Sequence, residues 1–198
     1  MAVRPNCVAG ISEDDLLHLA AEDQWVEVVN GELVAMSPTG YHNAELVFHV
    51  AKLLDRYVFE RGLGFVLPEG LVYILEQAPD GSILKSRVPN VSFIRRNRIP
   101  IDFDRDMPFP GAPDLAVKIV SPSESRAALF SRLRDYLDAG TEQVWMLYSE
   151  TEEVHQYRRD QPGLIHTYMG DEIIGSDDLF PGLVIQARDL FDLPSFED

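Results

Sequence analysis

The sequence predicts a fold of the α/β or α+β class, and three local patterns carry that prediction. The first is a hairpin signature, VEVVNGELVAM, in which two apolar, β-branched runs flank Asn30 and Gly31, the dipeptide that best tolerates the positive φ angles of a two-residue turn. The second is an amphipathic helix over about residues 43 to 59. There Leu46, Val50, Leu53, Leu54 and Tyr57 recur at helical spacing, while Glu45, Lys52, Asp55 and Arg56 occupy other positions on the wheel. The third is a strand, helix, strand unit. DLAVKIV leads to a helix striped with Leu129, Phe130, Leu133 and Leu137, and then to VWMLY, so the two strands are parallel neighbours joined by a crossover.

The other elements fall between these. Ser12 caps a short N-terminal helix over residues 12 to 21, with acidic residues in its first turn and Leu16, Leu17 and Leu19 for burial. Gly62 and Gly64 stop the second helix and lead into FVLPEGLVYILEQ, the turn Pro79-Asp80-Gly81 and an extended run to Phe93, which together read as a meander of strands. Residues 95 to 113 mix charges with Pro100, Pro108, Pro110 and Pro113, so they read as an exposed loop long enough to act as a flap. Ser121-Pro122-Ser123-Glu124 has the form of a capping box, with Ser121 as N-cap and Pro122 at the first helical position. Gly140 ends that helix before VWMLY. EVHQYRR and LIHTYM form a last hairpin, and Leu183 to Gln186 a short closing strand.

The 198 residues suit a short tail over residues 1 to 10 and a single domain over 11 to 198. Hydrophobic residues make up 45% of the chain and charged ones 25%, enough apolar material for a substantial core. The net charge of −16 repels polyanions and anionic membranes unless basic groups converge locally. Cys7 is the single cysteine, which rules out an internal disulfide and a thiolate zinc cluster and fits a reducing cytoplasm. No apolar run approaches the roughly 20 residues that span a bilayer, so no membrane partner is expected.

Glycine-rich phosphate loops, GxSxG elbows and HExxH pairs are absent, which removes local support for P-loop hydrolysis, serine hydrolysis and zinc proteolysis. The five histidines are dispersed: His42 and His49 are seven residues apart, and His18, His155 and His166 lie elsewhere. Ordinary partly buried histidines explain them better than a metal site.

The order of the pieces is more specific than any one of them. VEVVNGELVAMSPTGYHNAELVFHVAKLL, then VPNVSFI, then PDLAVKIVSPSESRAALFSRLRDYLDAGTEQVWML, and finally DLFPGLVIQARDLF, resemble the Uma-two family, described as putative restriction endonucleases. The resemblance runs from about Ile11 to Phe191, and Ser121-Pro122-Ser123 with Tyr136, Gly140 and Trp145 is its most specific part. It implies a restriction-endonuclease-like core of the PD-(D/E)XK superfamily: a mixed sheet flanked by helices, with the N-terminal helix and hairpin added. In that superfamily two carboxylates hold Mg²⁺, and a lysine steadies the attacking water or the developing charge.

This chain departs from that pattern at each position. The aspartate that follows a proline is matched by Asn90, and the glutamate three residues before the first serine by Lys118. The aspartate and lysine of the next helix are matched by Ala128 and Arg132. A site that should be net negative becomes net positive, so the resemblance implies a metal-dependent endonuclease with a degraded site and weak or absent Mg²⁺ binding.

Lys118 can also be read as pointing away and pairing with an acidic neighbour, on the strand face it shares with Ala116 and Val120. Three functions stay open. One is a nuclease whose carboxylates have migrated to Glu45, Glu69, Asp114 or Glu124. Another is a pseudoenzyme that binds phosphate or nucleic acid locally through Lys118, Arg132 and the Arg95-Arg96-Asn97-Arg98 cluster. The last is a protein-interaction module. A homodimer would suit a lineage that cuts two strands.

Overall fold

The computed structural model describes residues 10–22, 24–122 and 124–193; Cys7 and Ser123, both singled out above, lie outside them. Helix α1 (Glu13–Ala21) is followed by the hairpin β1 (Val26–Val29) and β2 (Glu32–Ala35), and then by α2 (Tyr41–Arg61). Strands β3 (Gly64–Pro68), β4 (Tyr73–Gln77), β5 (Ile83–Arg87), β6 (Val91–Arg95), β7 (Phe109–Pro110) and β8 (Leu115–Ile119) come next. Helix α3 (Arg126–Asp138) and strands β9 (Gln143–Tyr148), β10 (Glu153–Arg158) and β11 (His166–Met169) complete the regular elements, with 3-10 turns at Arg96–Arg98 and Ala187–Leu190.

These strands build the expected mixed α+β fold as two mixed sheets, the first of which carries the N-terminal hairpin. One has the order β2-β1-β5-β4-β7 and the other β11-β10-β9-β8-β6-β3. The expected meander is divided between them, because β4 pairs antiparallel with β5 in the first sheet while β3 pairs antiparallel with β6 in the second. Gly70, at φ +135°, stands where the chain leaves β3 for the other sheet. The crossover unit has the expected form: β8 and β9 are parallel, from Leu115 opposite Gln143 to Ile119 opposite Leu147.

Side-chain alternation along β8 sorts the core. Leu115, Val117 and Ile119 face the cluster in which α2 buries Leu46, Val50, Leu54 and Val58. Ala116 belongs to the opposite cluster, with Leu129, Leu133 and Tyr136 of α3. The buried ring of Phe180, from the C-terminal segment, packs against Phe93 at 4.9 Å and Trp145 at 6.5 Å between centroids.

Three further expectations change. Helix α3 starts at Arg126, and its cap is Ser125, whose Oγ accepts the Ala128 N–H at 3.2 Å. Glu124 accepts the Ser121 N–H at a long 3.5 Å and also pairs with Lys118 at 2.9 Å, but Ser121 lies upstream of the helix start and is not its N-cap. Residues 183 to 186 make no strand; their partner is the irregular segment at Ile173, so pairing stops at one bridge between Ile173 and Gln186. The proline-rich loop is pinned, since β7 pairs parallel with β4, and Phe109 packs on Tyr73 at 5.6 Å and on Phe103 at 5.5 Å.

Candidate functional site

The chain passes between its two sheets at residues 68–73 and again at residues 87–91, and these crossings border one cavity. Glu69 lies on the first crossing and Asn90 on the second. The exit of β2, from Ala35 to Gly40, closes a third side, while Lys118 of β8, Ser121, Glu124 and Arg132 of α3 close the rest. The cavity measures about 300 Å³. All three positions that the resemblance marks, Asn90, Lys118 and Arg132, therefore line the same space.

Asn90 is tied on both ends of its amide. Its backbone N–H donates to the Val117 carbonyl at 3.0 Å, and its Oδ1 accepts the Ile119 N–H at 2.9 Å, which extends the pairing of β6 along β8. Its Nδ2 donates to Glu69 Oε2 at 3.2 Å, and Thr39 Oγ1 approaches the same oxygen at 3.5 Å. An aspartate here would set two carboxylates face to face, an arrangement that needs a cation or a shared proton. The amide satisfies both neighbours without either.

Lys118 leaves β8 on the face turned to α3, as its alternation with Ala116 requires. It lines the cavity and also pairs with an acidic neighbour, Glu124, with Nζ to Oε2 at 2.9 Å. Of the alternative reading, the acidic partner is present, but the side chain does not point away from the cavity. Arg132 pairs with Glu27 of β1, which also receives Arg87 at 2.9 Å and the Val88 N–H at 2.9 Å. Arg87 in turn pairs with Asp135 of α3, so a buried charge network joins the first sheet to the helix behind the cavity. Burial acts to raise the Glu27 carboxyl, but the Arg132 guanidinium, followed by Arg87 and the Val88 N–H, holds it below the usual carboxylate range. Burial pushes the Tyr136 phenol well above its ordinary range. The Tyr136 hydroxyl and Arg132 Nε are buried with no hydrogen-bond partner among the described residues.

The net positive character expected from three residues is not that of the cavity. Two cations, Lys118 and Arg132, and two carboxylates, Glu69 and Glu124, line it together, so it is internally neutralised. Of the four candidate migrated carboxylates, those two are brought to the site. Glu45, half-buried on α2, does not line it. Asp114 is fully buried at the opposite end of β8, where it receives the Arg95 N–H at 2.8 Å, Arg95 Nη1 at 2.7 Å and Arg98 Nη1 at 3.1 Å. Those contacts tie Arg95 and Arg98 to a buried carboxylate, although Arg98, like Arg96, keeps an exposed side.

The donor set does not fit Mg²⁺, which asks for near-octahedral oxygen ligands. The oxygen of Asn90 is taken by a backbone N–H, and each nearby carboxylate faces an amide or an ammonium. Among the described residues, no group of three or more His, Cys, Asp or Glu side chains is placed to hold a metal. Sequence reasoning missed Glu27, Arg87 and Asp135. Their signal was a charge inside otherwise apolar or core-facing stretches, such as Glu27 within VEVV.

A family model, Uma2, described as "Putative restriction endonuclease", matches residues 13–188. A solved structure, a putative nuclease belonging to DUF820 from Anabaena variabilis ATCC 29413, has a similar fold with a TM-score of 0.74 and 20% sequence identity, covering 91% of this chain and 97% of that one. No curated protein matches. Among the described residues, no helix is long and apolar enough to cross a membrane. With the match extending over most of its length, the chain belongs to the Uma2 family of putative restriction endonucleases.

Proposed function

We propose that this chain uses the nuclease scaffold to hold a phosphate of nucleic acid without hydrolysing it through the family's metal chemistry. The observation behind this reading is the pair of contacts in the cavity: the Asn90 amide engages Glu69, and the Lys118 ammonium engages Glu124. Hydrogen bonds and an ion pair thus occupy the carboxylates that a divalent ion would need. Lys118 carries three donors, and an incoming phosphate competes with Glu124 for them. Arg132, paired on its other side with Glu27, stands at the same wall, and a guanidinium there can share charge-assisted hydrogen bonds with a phosphate.

Cleavage of supercoiled plasmid in Mg²⁺ and Mn²⁺ tests the proposal. The protein as it stands should not cut, and the Asn90→Asp, Lys118→Glu double variant should. In parallel, binding of a labelled single strand should weaken with salt and drop with Lys118→Ala. Cutting by the unaltered protein that disappears with Arg132→Ala would overturn the reading.

A second reading has its own observation, since Glu69 and Glu124 line the cavity together: a metal-dependent nuclease built on migrated carboxylates. In that case Glu69→Gln and Glu124→Gln would each abolish cutting by the otherwise unaltered protein.

A further inference from the structure

The charged cavity does not end at Glu124. Ser121 and Glu124 also line a second cavity, of about 560 Å³, which opens between α3 and strands β9 and β10. Its character is opposite. The rings of Phe130, Tyr148, His155 and Tyr157 line it, set among aliphatic side chains. Phe130 is 46% exposed, and Tyr148 and His155 stack with centroids 4.6 Å apart and planes tilted by 50°.

The charged cavity and the aromatic one share Ser121 and Glu124 in their walls, and a nucleotide likewise joins an anion to a flat π-system through a short sugar. Proteins that read single strands combine these same elements, cationic groups for the backbone and aromatic faces for splayed bases. The second cavity lies within the roughly 300–1,000 Å³ usual for small-molecule sites. It also offers polar groups for a base edge: Arg126 lines it, and the His155 Nε2–H donates to Glu153 Oε2 at 3.1 Å.

We infer that the second cavity takes an unstacked base of a single-stranded nucleic acid whose phosphate occupies the first. The inference rests on the reading of the first cavity as a phosphate site and deepens it by naming the substrate class. A base inside a duplex cannot reach such a groove, so single strands or extruded nucleotides are selected over paired ones.

The test is titration of the protein, in the presence of a chelator, with a single strand carrying one 2-aminopurine, whose fluorescence falls on stacking. Binding should quench the probe. Tyr148→Ala and Phe130→Ala should weaken binding about tenfold, the effect of losing one stacked base, and restore the fluorescence, while Tyr148→Phe retains the quench. A strand with an abasic position in place of the probe should bind the unaltered protein about as weakly as the intact strand binds Tyr148→Ala. Thermal melts of the variants separate loss of the site from loss of the fold.

Retained affinity and a bright probe in Phe130→Ala and Tyr148→Ala, with Lys118 still required, would sink the base site and leave the phosphate site standing. A failure of both the strand and inorganic phosphate to bind would remove both. A dimer on sizing that shields Phe130 would make this groove an interface between copies and overturn the inference.

Discussion

Glu27 is 2% exposed and faces two guanidinium groups, so its charge decides whether the wall behind the cavity holds. Removing one partner of a buried ion pair leaves the other uncompensated, which costs roughly 3–5 kcal/mol. Glu27→Gln should lower the free energy of unfolding by that amount, measured by urea denaturation near neutral pH. The carboxyl lies below its ordinary value in the folded state, so its contribution is complete above an unfolded pKa of about 4.3 and is lost as pH falls through the folded value. The gap between Glu27→Gln and the unaltered protein should therefore narrow once pH drops below about 4. A gap that stays constant into stronger acid would show that another interaction carries the loss. Asn90, Lys118 and Arg132 were legible in the sequence because a family pattern marks their positions, and the structure brings them into one cavity. Glu69 and Glu124 were among the candidate carboxylates, but which residue each would face was not legible, and Glu27 was missed. Glu69 is 21 residues from Asn90, and Glu27 is 105 residues from Arg132, separations that no local spacing rule reaches.

The elements most faithfully written in the sequence are those with local signals. Asn30 and Gly31 take the positive φ values of 52° and 78° that the hairpin turn requires, and Gly140 adopts φ +110° after α3. The cap was misread because two serines, Ser121 and Ser125, can each start a helix, and the chain takes the later one. Ser125 caps instead, so Ser125→Ala should cost about 1 kcal/mol in chemical denaturation. Gly64 carries a role that its reading as a helix stop does not include. A Cβ there would lie 2.0 Å from the Ile94 carbonyl oxygen, inside the ladder between β3 and β6. Gly64→Ala should destabilise by about 1–3 kcal/mol through forced backbone displacement, and an unchanged melting temperature would contradict the close approach.

The molecule as a whole is set by the partition of strands between two sheets, which composition and periodicity do not specify. Strand periodicity reports that a run is extended and half-buried, but not which neighbour it joins. The broken meander follows from this limit, as β3 and β4 are adjacent in sequence yet belong to different sheets. The C-terminal segment is similar: it has little regular structure, yet Ile174, Leu179, Phe180, Ile185 and Leu190 join the principal core. Phe180 is fully buried among Tyr57, Phe93 and Trp145, so Phe180→Ala should cost about 3–5 kcal/mol. Calorimetry should show the whole transition shifting down; a separate, early transition of the C-terminal segment alone would mean that it does not belong to this core.

The hydrogen bond from Asn90 to Glu69 also bears on how the fold responds to divalent cations. No charge repulsion between those two side chains waits to be relieved, so chelators should leave the melting temperature of the unaltered protein unchanged. In the Asn90→Asp, Lys118→Glu variant, carboxylates at both substituted positions would crowd Glu69 and Glu124, and their mutual repulsion would weaken the empty fold. Mg²⁺ would then act as a folding ligand, adding about 2.7 kcal/mol at a hundredfold excess over its dissociation constant. The side chains at positions 90 and 118 would thereby decide together whether this scaffold senses divalent cations thermodynamically.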